Sequence, residues 1–196
     1  MKDVYFATGN KGKYGTLKEV LKNYEINLVH EPMDFVEELD SESVAEIACD
    51  KVIRVYEKIR EPIIALDAGL YIKSLNNLPG AKINPFLKEH GIEGILNLLR
   101  GKERYCEFKE CLAYMAPYID NPKVFESDIK GKFSKESRGF IGSKPAWSEL
   151  WLIFIPEGEV KTLSEMTEKE YKKWRARRGK DSIGAKFGEW FYNNNL

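Results

Sequence analysis

Short apolar segments typical of buried strands alternate with amphipathic segments typical of helices through the first half of the chain. The segments "DVYFATG", "INLVHE" and "PIIALDAG" are rich in β-branched and aromatic residues. Between them, "KYGTLKEVLKNY" and "SESVAEIACDKVIRVYEKI" repeat apolar residues at helical spacing, and Ser41 or Ser43 can cap the second helix. Such alternation favours crossover connections, as in α/β proteins.

Strand-like segments cluster in the second half of the chain. "GIEGILNLLRG" predicts a short helix, and three strands are then predicted by "RYCEFKECLAYMAP", by "KVFESDIKGKFS" with a break at Gly131, and by "LWLIFIP". The tail segments "TEKEYKKWRARRGK" and "SIGAKFGEWFY" are typical of helices. The order therefore predicts an α/β fold with a mixed rather than a purely parallel sheet.

Composition excludes several classes of protein. The chain has 196 residues, 43% of them hydrophobic, and its 31 Lys and Arg residues balance its 31 Asp and Glu residues. This neutrality disfavours a general nucleic-acid-binding surface. Three cysteines without metal-ligand spacing are typical of reduced thiols in the cytoplasm. No signal-peptide pattern begins the chain, and no apolar stretch is long enough to cross a membrane.

The turn between the first strand and the first helix, "TGNKGK", is a candidate anion site. Glycines permit a tight turn, helix N-terminal N–H groups favour anions, and Thr8, Asn10 and Lys13 add donors. The spacing is not that of a Walker loop. An ordinary strand-to-helix turn with a solvated lysine explains these six residues equally well.

Two further charged side chains interrupt apolar patterns. Asp67 ends the apolar run of "PIIALDAG", where a carboxylate can hold a metal ion, position a water molecule or serve as a turn acid. Lys51 lies on the apolar stripe of the second helix, so it must meet an anion or extend to water. Glu37 and Glu38 precede that helix, where acids complement the helix dipole.

These pieces together resemble the inosine triphosphate pyrophosphatase family, also called XTP/dITP pyrophosphatases. The family pattern T-x-N-x-x-K is present at Thr8, Asn10 and Lys13, and "AEIACDK" matches its A-E-x-A-x-x-K helix. "DAGLYIKSLNNLPG", "GIEGILNLLRG" and "IFIPEGEVKTLSEMT" follow in the family's order. The matches extend from residue 5 to about residue 190.

The resemblance implies a fold, an activity and a set of site residues. It implies a single domain over residues 1–196 with two lobes, a cleft between them and a long mixed sheet, and it implies a homodimer. It also implies Mg²⁺-dependent hydrolysis of nucleoside triphosphates such as ITP, dITP and XTP to the monophosphate and pyrophosphate. The family's catalytic residues match Asp67 and Lys51, and its phosphate-binding residues match Thr8, Asn10, Lys13 and either Arg177 or Arg178. Its metal-binding acids correspond to Asp67 and to Glu37 or Glu38.

The chain departs from the family pattern at three places. Leu66 and Ala68 replace an acid and a serine on either side of Asp67, and Thr16 replaces an acid after Lys13. The base-recognition segment reads "WSELWL", so Trp147, Glu149 or Trp151 would have to contact the base. The serine and histidine of the S-H-R motif are absent from "RARRG".

Two alternatives to the pyrophosphatase remain open. A catalytically impaired paralogue could bind nucleotides without hydrolysing them, because an acid and a hydroxyl are missing next to Asp67. The basic segment "KKWRARRGK" could bind RNA through charge and through stacking on Trp174, although the neutral chain disfavours this.

Overall fold

The computed structural model describes residues 1–32, 39–142 and 146–194. Short 3₁₀ turns connect several of the main elements, including one over Glu149–Leu152. In chain order the main elements are β1 (Lys2–Ala7), α1 (Lys11–Leu21), β2 (Ile26–Glu31), α2 (Val44–Ile59), β3 (Ile63–Ile72), β4 (Leu78–Gly80), α3 (Ile83–Leu98), β5 (Tyr105–Met115), β6 (Lys123–Phe133), β7 (Phe154–Pro156), α4 (Glu168–Arg178) and α5 (Ile183–Asn193).

The strands of the described residues form one mixed sheet of seven strands. Its order is β2-β1-β3-β5-β6-β7, with β4 paired to β3. β1 is parallel to both β2 and β3, while β4 and β7 are antiparallel to β3 and β6. Parallel pairing occurs where helices separate the strands, and antiparallel pairing occurs in the later part of the chain, as the sequence pattern predicts. The α/β class and the mixed sheet are therefore confirmed.

The chain forms two compact units. The first contains residues 1–67, 110–127 and 178–196, and the second contains residues 68–109 and 128–177. The chain thus passes from one unit to the other four times, within β3, β5 and β6 and at the end of α4. No helix of the described ranges is both long and apolar enough to cross a membrane.

Helix α2 shows how local sequence sets the first unit. Ser43 rather than Ser41 is its N-cap, because the Ser43 hydroxyl accepts a hydrogen bond from the Glu46 amide. The Ser41 hydroxyl instead donates to the Glu46 carboxylate at 2.6 Å. The apolar members of the predicted stripe are buried, which docks the helix on the sheet; they are Val44, Ile47, Ala48, Val52 and Val55, and Tyr56 is buried beside them.

Four sequence expectations need correction. β3 does not end at Asp67 but continues to Ile72. β6 continues through Gly131 without a break. The glycine there permits close packing, because a side chain at that position would overlap Phe154 and the Ile155 carbonyl. "LWLIFIP" forms a 3₁₀ turn followed by the short strand β7. The helix predicted from residue 91 is present but not alone: a helical segment from Ile83 precedes it, and Gly91, with φ of 60°, breaks the helical geometry between the two.

Two helix glycines of the first unit differ in the space available for a side chain. A Cβ at Gly188 of α5 would lie inside the van der Waals radius of the Tyr24 ring, whereas a Cβ at Gly15 of α1 would meet no heavy atom within 4 Å. We expect Gly188→Ala to lower the free energy of unfolding by about 1–3 kcal/mol through overpacking. We expect Gly15→Ala to raise it by about 0.5–1 kcal/mol, because alanine has the higher helix propensity. Urea unfolding of both variants measures whether the free energy of unfolding falls for Gly188→Ala and rises for Gly15→Ala. The same change in both variants would contradict this packing.

Candidate functional site

The turn before α1 is a closed hydrogen-bonded loop in the first unit. The Thr8 hydroxyl accepts from the Asn10 amide at 3.0 Å, and the Asn10 side chain accepts from the Lys13 amide at 3.0 Å. Asn10 is therefore the N-cap of α1, which begins at Lys11. Such a loop presents the positive end of the helix dipole beside the side chains of Thr8 and Lys13. It supplies the donors that a phosphate group requires.

Two lysines from different helices reach consecutive residues of β3. Lys51 Nζ on α2 donates to Asp67 Oδ1 at 3.1 Å, and the two side chains are only 14% and 11% exposed. Lys13 Nζ on α1 donates to the Leu66 carbonyl oxygen at 3.3 Å. The partner that the sequence requires for Lys51 is therefore Asp67. Ammonium groups at this point of the strand can bind anionic oxygens close to a carboxylate.

A buried thiol lies close to this carboxylate. Cys111 is on β5, the neighbour of β3 in the sheet. Burial raises the pKa of its thiol to about 12, with further increases from Cys49, Glu126 and Asp67. The thiol therefore stays protonated and unreactive at neutral pH. Because β5 pairs with β3, it passes beside the strand that carries Asp67.

The two adjacent arginines at the end of α4 have different partners. Arg178 Nη2 donates to Glu110 Oε2 and to Ser127 Oγ, each at 3.3 Å, within the first unit. Arg177 instead forms an ion pair with Glu159 in the second unit. The unit that contains Asp67 and both lysines therefore contains Arg178 and not Arg177. Sequence reasoning missed Glu110, because a glutamate in a strand of mixed polarity carries no signal that it is buried.

His30 also contacts the anion loop, although no sequence pattern marks it as part of a site. It lies on the surface but in β2, and its Nε2 is 2.7 Å from the Thr8 carbonyl oxygen. Its ring packs against Tyr14, with centroids 5.0 Å apart. The histidine therefore supports the loop backbone from the neighbouring strand. No sequence motif marks this contact, because it joins separate strands.

The three candidate base-contacting residues lie in the second unit. Trp151 is only 7% exposed and packs against Tyr171, with centroids 5.0 Å apart. Trp147 is half-buried against the same core, and Glu149 is exposed at the start of the 3₁₀ turn. Trp174 of the basic tail is only 8% exposed. Its burial counts against the RNA-binding alternative, which requires this ring as a stacking surface.

The residues expected to bind a metal ion lie only partly within the described ranges. Glu37 and Glu38, the two acids expected to complete it, lie outside them. The described ranges contain no group of three or more His, Cys, Asp and Glu side chains that could hold a metal ion. Asp67 nevertheless offers a hard oxygen ligand, and Mg²⁺ often takes only one or two carboxylates besides water and substrate phosphates. The oxygen donors of this carboxylate are thus of the type that hard divalent cations take.

The fold and the site define a class before any relative is considered: an α/β protein whose first unit presents a phosphate-type loop, two converging lysines and a buried carboxylate. Comparison with known families gives the particular one. The model of the Ham1 family matches residues 4–180, and the chain belongs to that family. The relatives described next carry the name dITP/XTP pyrophosphatase, so the family expected from the sequence is confirmed.

The sequence is similar to those of its relatives over nearly the whole chain. The chain is 37% identical to the dITP/XTP pyrophosphatase of Methanopyrus kandleri, with 97% of each chain covered. It is 36% identical to the dITP/XTP pyrophosphatase of Saccharolobus solfataricus, with 93% and 90% covered. The structure of the Staphylococcus aureus Ham1 protein matches with a TM-score of 0.73 at 20% identity and full coverage of both chains, which establishes the fold alone.

Proposed function

We propose that this protein is a nucleoside-triphosphate pyrophosphatase that hydrolyses ITP, dITP or XTP to the monophosphate and pyrophosphate. One observation carries the proposal: Lys13 and Lys51 converge on Leu66 and Asp67, so two cations adjoin one buried carboxylate. The relatives named dITP/XTP pyrophosphatase support the substrate class. The catalytically impaired alternative has less support, because the acid, both lysines and the anion loop belong to the same unit.

In this proposal each residue of the first unit has a role. The loop of Thr8, Asn10 and Lys13 binds phosphate oxygens, and Arg178 adds a further cation. Asp67 accepts a proton from the attacking water and orients it towards phosphorus. Lys51 keeps the Asp67 carboxylate in place and contacts the phosphate chain, which acquires charge in the transition state.

The metal, the base contacts and the assembly are parts of the same proposal. Mg²⁺, held by Asp67 together with Glu37 or Glu38, would neutralise phosphate charge and polarise the phosphoryl group.

Trp147 and Glu149 are the better candidates for the base, since Trp151 is buried in the core of the second unit. We further propose a homodimer, which light scattering tests, and a cytoplasmic location, which the free thiols of Cys49, Cys106 and Cys111 support.

Pyrophosphate release tests the activity directly. The assay compares ITP, XTP and dITP with ATP and GTP, each with Mg²⁺ or Mn²⁺. The proposal requires release from at least one deaminated purine nucleotide, at a higher kcat/KM than from ATP or GTP. A protein that binds these nucleotides without releasing pyrophosphate would support the impaired paralogue instead.

The two lysines make a separate prediction about binding. We expect Lys13→Ala and Lys51→Ala each to weaken triphosphate binding about 10- to 100-fold, the range for charge-assisted hydrogen bonds of roughly 1.5–3 kcal/mol. Binding of the nucleoside alone should change much less, because both lysines would contact phosphate. Calorimetric titration of both ligands checks this. Lys11→Ala is the matched control, since Lys11 is exposed in the same turn.

A further inference from the structure

Glu110 is a carboxylate in the interior of the first unit. Its residue is 2% exposed, and Ser127 Oγ on β6 donates to Glu110 Oε2 at 2.5 Å. Arg178 Nη2 donates to the same oxygen at 3.3 Å and also to Ser127 Oγ at 3.3 Å. A buried carboxylate is tolerated only with such charged and hydrogen-bonded partners. The three side chains therefore form one cluster, in which Arg178 supplies the countercharge.

This cluster shares a position in the chain with Asp67. The last or first residues of the first unit at its four chain passages are Asp67, Glu110, Ser127 and Arg178. Asp67, Glu110 and Ser127 lie on β3, β5 and β6, which are successive neighbours in the sheet. Glu110 is therefore on the strand next to that of the proposed catalytic acid, and Ser127 is on the following strand.

We propose that Glu110 is a positioning residue, which together with Ser127 holds the Arg178 guanidinium in the orientation that binds a phosphate group of the substrate. This inference rests on the proposed function of the site. The guanidinium is a rigid planar fork, so anchoring one terminal nitrogen on two oxygens fixes the direction of its other donors. Because the guanidinium is already ordered, substrate binding avoids the loss of conformational entropy that a flexible arginine would undergo.

The neighbouring arginine shows why such an anchor matters. Arg177 is exposed and pairs with Glu159 in the second unit, whereas Arg178 is only 18% exposed. Two successive helix residues thus belong to different units, and the Glu110 carboxylate pairs with the arginine that belongs to the first unit. A purely structural ion pair would stabilise the fold but would leave phosphate binding unaffected once folding is maintained.

A double-mutant cycle distinguishes these roles. The variants are Glu110→Ala, the isosteric Glu110→Gln, Arg178→Lys, which keeps a countercharge for Glu110, and Glu110→Ala combined with Arg178→Lys. We expect Glu110→Ala and Arg178→Lys each to raise KM about tenfold with kcat changed less than about threefold, which corresponds to roughly 1.4 kcal/mol of binding. Glu110→Gln should restore most of the loss. In the Arg178→Lys background, Glu110→Ala should have no further effect on KM.

The control and the contrary outcomes are equally specific. Glu189→Gln removes an exposed ion pair with Lys180 in the same unit and should leave KM unchanged. Additive effects, or a lowered melting temperature with unchanged KM in both Glu110 variants, would overturn the inference. If Glu110→Ala does not fold, the same cycle is run with Ser127→Ala, which removes the second oxygen that accepts from Arg178; a raised KM that disappears in the Arg178→Lys background is the supporting result, and an unchanged KM contradicts the inference.

Binding of inorganic tripolyphosphate, followed by calorimetry, separates this inference from the proposed function. If no nucleotide is hydrolysed but tripolyphosphate binds, the same cycle is read from its Kd. If Lys13→Ala weakens that binding and the Glu110 variants do not, the positioning role alone is wrong. If the wild-type protein binds no triphosphate, both the phosphate site and the role of Glu110 are refuted.

Discussion

Asp67→Asn is expected to lower kcat/KM for pyrophosphate release by at least about a hundredfold, or roughly 2.7 kcal/mol of barrier, while the protein remains folded. Asparagine has nearly the same shape, and its side-chain oxygen can still accept the hydrogen bond that Lys51 donates to Asp67 at 3.1 Å. It cannot accept the proton of an attacking water, and it is a weaker ligand for a divalent cation. Activity should therefore be lost without a comparable loss of stability.

The measurement pairs steady-state kinetics with thermal unfolding of the same sample. Asp120→Asn is the matched control, because Asp120 is an exposed acid in the same unit and the substitution removes the same charge. A variant at Asp67 that retains more than about a tenth of wild-type activity, a change below roughly 1.4 kcal/mol, would assign the catalytic role to another residue.

Elements with strong local signals could be predicted from the sequence. The apolar stripe of α2 and the turn "TGNKGK" each indicate their structure through neighbouring residues. The 3₁₀ turn at Glu149–Leu152 could not be predicted, because the apolar letters of "LWLIFIP" fit a strand equally well. Similarly, Asp67 was expected to end β3, whereas β3 continues to Ile72, since one carboxylate is tolerated within a strand once a lysine from α2 meets it.

The candidate site was only partly predictable for a related reason. Thr8, Asn10 and Lys13 form a local loop, so their spacing alone indicates it. Glu110 and Arg178 are 68 positions apart, and their contact depends on where the fold places the end of α4 relative to the middle of β5. Neither residue carries a motif that names its partner. The choice between Arg177 and Arg178 likewise follows from the ion pairs and not from the letters "RARRG".

The second large effect concerns Leu66, where the family pattern has an acid. Leu66 is only 3% exposed, so its side chain belongs to the core although its backbone carbonyl meets Lys13. We expect Leu66→Glu to lower the free energy of unfolding by at least about 3 kcal/mol, because it buries an uncompensated carboxylate in an apolar site. Combining it with Ala68→Ser, which would restore both family residues, should not recover that loss.

Urea unfolding of the single and double variants, each with and without Mg²⁺, tests this expectation. Leu66→Met is the matched control, since a swap that conserves volume and polarity should cost less than about 1.5 kcal/mol. If Mg²⁺ restores the stability of Leu66→Glu and raises its turnover, the new carboxylate has reached the metal, and the apolar surroundings of Leu66 do not determine the outcome. If stability stays low with and without Mg²⁺, the leucine is a core residue that this chain requires, and restoring the family acid is incompatible with its packing.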